Sequence, residues 1–124
     1  MKFSSFDVTA YPIDISEWGC QRENPTTGEV IHYDTCYVRP LTVLEYTKFV
    51  ALSRMREVDN NDISMARIAI EFALEDDNHG KPLFTIADLE DIVNNDCRPA
   101  QRIVSKLWEI NTLKTDEIDK LQKN

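Results

Sequence analysis

Glycine is scarce in this chain. Gly19, Gly28 and Gly80 are its three glycines, each isolated. No Gly-rich loop can therefore gather consecutive backbone N–H groups around a phosphate. Histidine is scarcer still: His32 and His79 are the two side chains whose ordinary titration falls near neutrality. No G-x-S-x-G, H-E-x-x-H or C-x-x-C occurs, which removes the usual signatures of hydrolases, zinc proteases and dithiol redox centres. The three cysteines, Cys20, Cys36 and Cys97, are odd in number and far apart, and reduced structural thiols are expected. A zinc cluster of Cys20, His32 and Cys36 would leave the fourth ligand unspecified. A Cys–His nucleophilic pair has no stronger support. No apolar run approaches the roughly 20 residues that cross a bilayer. The start, MKFSSFDVTAYPIDI, lacks the apolar core of a signal peptide. A cytosolic protein with no membrane partner is expected.

What is present is an acidic chain of ordinary hydrophobicity. Its 124 residues suffice for one domain with a single core. The net charge of −8 argues against a nucleic-acid surface, which needs clustered Lys and Arg. The acidity is spread: residues 1–40 carry net −3 and the remainder net −5. It serves solubility and could favour a basic protein partner. Nothing in the spacing of the acids selects a catalytic carboxylate pair, so no catalytic, metal-binding or cofactor-binding residue is assigned.

The chain divides into a β-rich part over residues 1–40, a helical body over 41–111 and a weakly packed tail over 112–124. Val8, Ile13 and Ile15 flank Pro12 in a short strand-like piece. Gln21–Glu29 holds Asn24, Pro25 and Gly28 and reads as an exposed turn. Val30–Val38, rich in β-branched and aromatic residues, reads as one strand, with partial alternation at residues 31, 33 and 37. Two strands joined by the 20s loop would make a hairpin, which must pack on helices or pair through its edge.

Thr42 and Glu45 form a T-x-x-E capping box opening a helix over about 43–56. Leu44, Tyr46, Phe49, Val50, Leu52 and Met55 would form its apolar face. The polar linker EVDNND follows. A second helix is expected over about 63–75, with Ile63, Ala66, Ile70, Ala73 and Leu74 at helical spacing. A third covers about 86–94, with Ile86, Leu89 and Val93 inward. NNDC breaks the chain, and a fourth helix starts near Pro99 with Ala100, Ile103, Val104, Leu107 and Trp108 on one face. The fold class expected is α+β: an N-terminal β-hairpin or small antiparallel sheet followed by a compact bundle of about four helices.

The segment DDNHGKPLFTIADLEDI, residues 76–92, joins two of these helices. Asp77, Asn78, His79, Gly80 and Pro82 are turn formers, and Thr85 with Asp88 reads as a carboxylate variant of the capping box. It resembles a calcium loop superficially. With Gly80 at the sixth position, Ile86 falls at the twelfth, where a bidentate Glu is needed. A capped turn is the better reading.

Trp18 and Trp108 are candidate partner-binding residues, since Trp is enriched at binding hot spots. The simpler reading has Trp108 in the core beside Leu107 and Trp18 covering the sheet. In the tail, Leu113, Ile118 and Leu121 complete the candidate set. Asp116–Lys120 and Asp119–Lys123 there are spaced for ion pairs on a frayed or free helix.

The order of elements then matters. A strand ends near Trp18–Gly19, a second runs into YVRPLTVLEY, and a helical body carries DDNHGKPLFTIADL and a helix ending in WEIN. This pattern, over about 13–111, resembles the tail assembly chaperones of long-tailed bacteriophages and prophages. The resemblance implies a non-enzymatic protein that binds the tape measure protein and helps tail tube protein subunits polymerise around it. It implies a homo-oligomer in the host cytoplasm, absent from the mature virion. It marks no binding residue. Such chaperones are often extended by a −1 ribosomal frameshift, and Gln122-Lys123-Asn124 can be encoded CAA AAA AAC, which holds the slippery string A AAA AAC. Two other readings are a different phage structural or tail-completion protein, and an acidic DNA mimic. The second is weakened by the 14 basic residues among the acids.

Overall fold

The computed structural model describes residues 1–57, 59–78, 80–113 and Lys120. The fold is α+β, with small antiparallel sheets and four α-helices among these residues. Strands β1 (Tyr11–Asp14), β2 (Cys20–Glu23), β3 (Val30–Tyr33) and β4 (Thr35–Val38) make one long hairpin in two registers. β1 pairs with β4, Tyr11 opposite Val38 and Asp14 opposite Thr35. β2 pairs with β3, Cys20 opposite Tyr33 and Glu23 opposite Val30. Residues 15–19 are therefore inserted opposite Asp34 alone.

This insertion corrects the expectation of one strand over Val30–Val38, which is broken at Asp34. Ile15 drops fully into the core, and its N–H donates to the Asp34 carbonyl at 2.9 Å. Ser16–Trp18 then form a 3-10 turn, closed by Gly19 at φ +56°. That left-handed backbone favours glycine. Beyond the break the inward side chains are Cys36 and Val38, whereas Ile31 is exposed.

The first helix, α1 (Val43–Leu52), opens on the expected capping box. The Glu45 N–H donates to the Thr42 hydroxyl and the Thr42 N–H to the Glu45 carboxylate, each at 3.1 Å. It ends four residues earlier than expected. The chain tightens at Ser53, and the linker read as merely polar pairs as a short hairpin of β5 (Arg56–Glu57) and β6 (Asn61–Asp62). Asp59 and Asn60 turn it with positive φ, which those residue types tolerate best after glycine. Leu44, expected inward, is 80% exposed.

Helix α2 (Ser64–Phe72) runs through the middle of the fold, against α1, α3 (Leu89–Val93) and α4 (Cys97–Asn111). Ala66, Ile68, Ala69 and Phe72 are buried on it. It stops at Phe72, three residues before the expected end, because Ala73 turns extended. Leu74 then exchanges both backbone hydrogen bonds with Tyr37, at 2.8 and 2.9 Å, and bridges to Pro82. Leu74 and Pro82 thus add bridges beside β4 where a helix end and a capped turn were expected. At Gly80 a Cβ would lie 2.7 Å from the Leu74 side chain, which explains the glycine.

A 3-10 turn, Ile86–Asp88, leads into α3, and the Thr85 N–H donates to the Asp88 carboxylate at 2.8 Å. Ile92 is the buried residue of α3. Ile86 and Val93, expected inward, are exposed. Helix α4 begins two residues before Pro99, capped by Asp96, whose carboxylate accepts from the Arg98 N–H at 2.9 Å. Ala100, Ile103 and Leu107 are its buried face, as expected.

Candidate functional site

A groove of about 810 Å³ lies between the β2–β3 arm and the segment leading into α3. One wall is formed by Trp18, Cys20, Arg22, Glu23 and Tyr33. The inserted turn sets this wall. Trp18 is half-buried, its ring 5.6 Å from Phe84 in an edge contact, and its indole N–H donates to the Asp96 carbonyl at 2.7 Å. Glu17 beside it takes both guanidinium nitrogens of Arg102, at 2.6 and 2.7 Å, and Arg102 also donates to the Asp14 carbonyl at 3.0 Å. The arm is thereby fastened to α4.

The opposite wall carries Phe84, Asp88, Asp91 and Asn94. Each wall therefore carries both aromatic rings and carboxylates: Trp18, Tyr33 and Glu23 on one, Phe84, Asp88 and Asp91 on the other. None of these carboxylates is in an ion pair among the described residues. Arg22 is the one cation lining the groove among the described residues. It stands 5.4 Å over the Tyr33 ring, donates to the Leu83 carbonyl at 2.8 Å and pairs with Glu75 at 3.2 Å.

Cys20 is the groove's thiol. Burial, and then the charges of Asp88 and Asp34, push its pKa up. The protonated thiol is a poor nucleophile and a poor metal ligand. Cys36, deeper in the core, is pushed up to about 12 by burial and by the charge of Cys20. His32 lies exposed on β3, and among the described residues no three His, Cys, Asp or Glu side chains gather to hold a metal ion. The arrangement supplies recognition chemistry: aromatic faces, carboxylate acceptors and concavity.

The sequence candidates are not brought together. Trp18 lines the groove. Trp108 belongs to an aromatic cluster, 4.5 Å from Phe49 and 6.1 Å from Tyr46, with Phe49 in turn 5.9 Å from Phe72. Leu113 is 52% exposed just past α4, while Ile118 and Leu121 lie outside the described residues. Sequence reasoning did not single out Arg22, Tyr33, Asp88 or Asp91 for binding. Arg22 and Tyr33 come from the hairpin arm and Asp88 and Asp91 from the start of α3, and no local spacing links the two pairs.

A second surface feature sits where α1 begins. Val43 and Leu44 are 87% and 80% exposed. The Leu41 N–H donates to the Asn111 side chain at 2.7 Å, so the end of α4 and the start of α1 lie together. The exposed Phe6 ring reaches the same region, 5.9 Å from the Arg39 guanidinium, which pairs with Glu45. Among protein-family models, curated proteins and solved structures, none matches this chain.

Proposed function

We propose that this chain is a non-enzymatic assembly protein of the phage tail chaperone kind. In this reading it binds the tape measure protein in the cytoplasm of the bacterial host and assists tail tube protein subunits in polymerising around it. It self-associates, and it is left out of the mature virion. The observation that carries the reading is the apolar surface at the start of α1, where Val43 and Leu44 stand in solvent beside the end of α4. A protein that shields an aggregation-prone partner must offer uncovered apolar side chains. It must also stay soluble while doing so, and the net charge of −8 provides that. Such residues add nothing to the protein's own core, so binding is a physical reason for keeping them.

Co-expression with a candidate tape measure protein from the same genome tests this directly. The expected result is a soluble complex, with the tape measure protein insoluble when expressed alone. Val43→Ser with Leu44→Ser should lower the recovered partner while leaving the melting temperature nearly unchanged, because exposed positions contribute about 0.5 kcal/mol or less. No complex would overturn the reading. Presence of the chain in purified virions would favour a structural or tail-completion role instead. The codons for Gln122 to Asn124 test the frameshift expectation separately.

A further inference from the structure

We propose that the groove between the β2–β3 arm and α3 receives a basic peptide segment of a partner protein. An Arg or Lys side chain would lie against the Trp18 ring, outside its edge contact with Phe84, and pair with Glu23, Asp88 and Asp91. This deepens the binding role proposed above without depending on which protein the partner is.

Three observations support it. First, the groove is large enough for several side chains, at about 810 Å³. Second, its charge is unbalanced among the described residues: three carboxylates line it without an ion pair, and its one cation is already engaged by Glu75 and the Leu83 carbonyl. By contrast, the cations along α4 are matched, Arg98 by Asp96 and Glu17, Arg102 by Glu17, Lys106 by Glu109. Third, Arg22 displays the favoured chemistry within the same groove, a guanidinium over the Tyr33 ring with a carboxylate and a carbonyl as acceptors. Cations over aromatic faces gain when partly desolvated, and guanidinium groups suit carboxylates better than ammonium groups do. An apolar peptide would leave the carboxylates stranded, and a nucleic acid would be repelled.

The test uses the full chain and a fluorescein-labelled nonapeptide of alternating Arg and Leu, with a counterpart bearing Glu in place of Arg. Fluorescence anisotropy should show the Arg peptide binding at least about 100-fold more tightly than the Glu peptide, and more weakly as salt rises. Glu23→Gln with Asp91→Asn should weaken binding by between about threefold and tenfold, the range expected for two screened pairs. Both side chains are exposed and make no hydrogen bond or ion pair among the described residues, so this variant should fold. In an amide–proton correlation spectrum, the Trp18 indole resonance should move on binding and that of Trp108 should not.

Equal affinity for the two peptides would overturn the proposal. So would an unmoved Trp18 resonance, or displacement of the peptide by spermidine as effective as by unlabelled peptide. Failure here is separable from failure of the chaperone reading. If wild type and the Glu23→Gln, Asp91→Asn variant solubilise the tape measure protein equally and neither binds the Arg peptide, the groove proposal falls and the function stands. If the Arg peptide binds but no tape measure complex forms, the reverse holds.

Discussion

Asp96 does two jobs, one with its side chain and one with its backbone. It caps α4, and its backbone carbonyl holds the Trp18 indole. Hydrogen bonds from the Arg98 side chain, then from the Arg98 backbone N–H, pull its carboxyl down from 3.8 to about 2. Glu17 is lowered in the same direction, chiefly by Arg102. A carboxyl with a lowered folded-state pKa stabilises the fold fully above its ordinary titration range, and that stabilisation is lost as pH falls through the folded value. The melting temperature should therefore drop as pH falls from about 4 to about 2, and Asp96→Asn should drop less over that window, as followed by circular dichroism. The thiols give a second check. Cys97 is exposed, Cys20 half-buried with a raised pKa, and Cys36 fully buried and pushed up to about 12. Labelling by a disulfide reagent near neutral pH should proceed in that order, with Cys36 silent until the protein unfolds. Capping was the most legible information at this scale. Thr42 with Glu45 and Thr85 with Asp88 act within a few residues, so the sequence contains all the partners. The exposure of Leu44, Ile86 and Val93 was not legible, because periodicity identifies a helix face without saying whether anything covers it.

Among the elements, the least expected is the stretch after α2. A helical pattern continues through Ala73 and Leu74, yet the chain leaves the helix to pair with β4 through Tyr37. That pairing joins residues far apart in sequence, and tertiary hydrogen bonding overrides local preference there. Gly80 is its local trace. Gly80→Ala should cost about 1 to 3 kcal/mol by crowding Leu74. Combined with Leu74→Ala, which opens that space, the cost should be less than additive, and denaturant unfolding of the double-mutant cycle would measure the coupling. The division of Val30–Val38 at Asp34 was hidden for a similar reason. β-branched composition announces extended chain, but the insertion that interrupts its pairing sits on the other strand, in residues 15–19. The Trp18–Gly19 pair was read as a strand end, whereas β1 ends at Asp14 and the pair closes the 3-10 turn; its role in shaping a groove depends on Phe84 and Asp96. The four helices were legible, since each repeats its apolar residues over two turns or more or opens on a cap.

For the molecule as a whole, one aromatic cluster ties three helices together. Phe49 of α1 is fully buried, against Phe72 of α2 and Trp108 of α4. Phe49→Ala should cost about 3 to 5 kcal/mol. That is a large share of the roughly 5 to 15 kcal/mol that holds a typical domain, and the urea midpoint should fall accordingly. The hairpin arm hangs on different bonds. Trp18→Phe keeps the ring contact but removes the bond to Asp96, at a cost of about 1 kcal/mol. Hydrogen exchange should then quicken in β2 and β3 more than in α2. These fastenings also set a timetable. Trp18 bonds a residue 78 positions later, and Glu17 and Asp14 reach Arg102 across 85 and 88 positions. At about 5 to 20 residues per second, the ribosome delivers those partners roughly 4 to 18 s after the arm itself. During synthesis the arm emerges early and seats late, so the groove is among the last features to form. A newly made chain becomes competent to bind at that site once α4 has left the exit tunnel and closed on the arm, making assembly of the site a report that the chain through residue 102 has emerged.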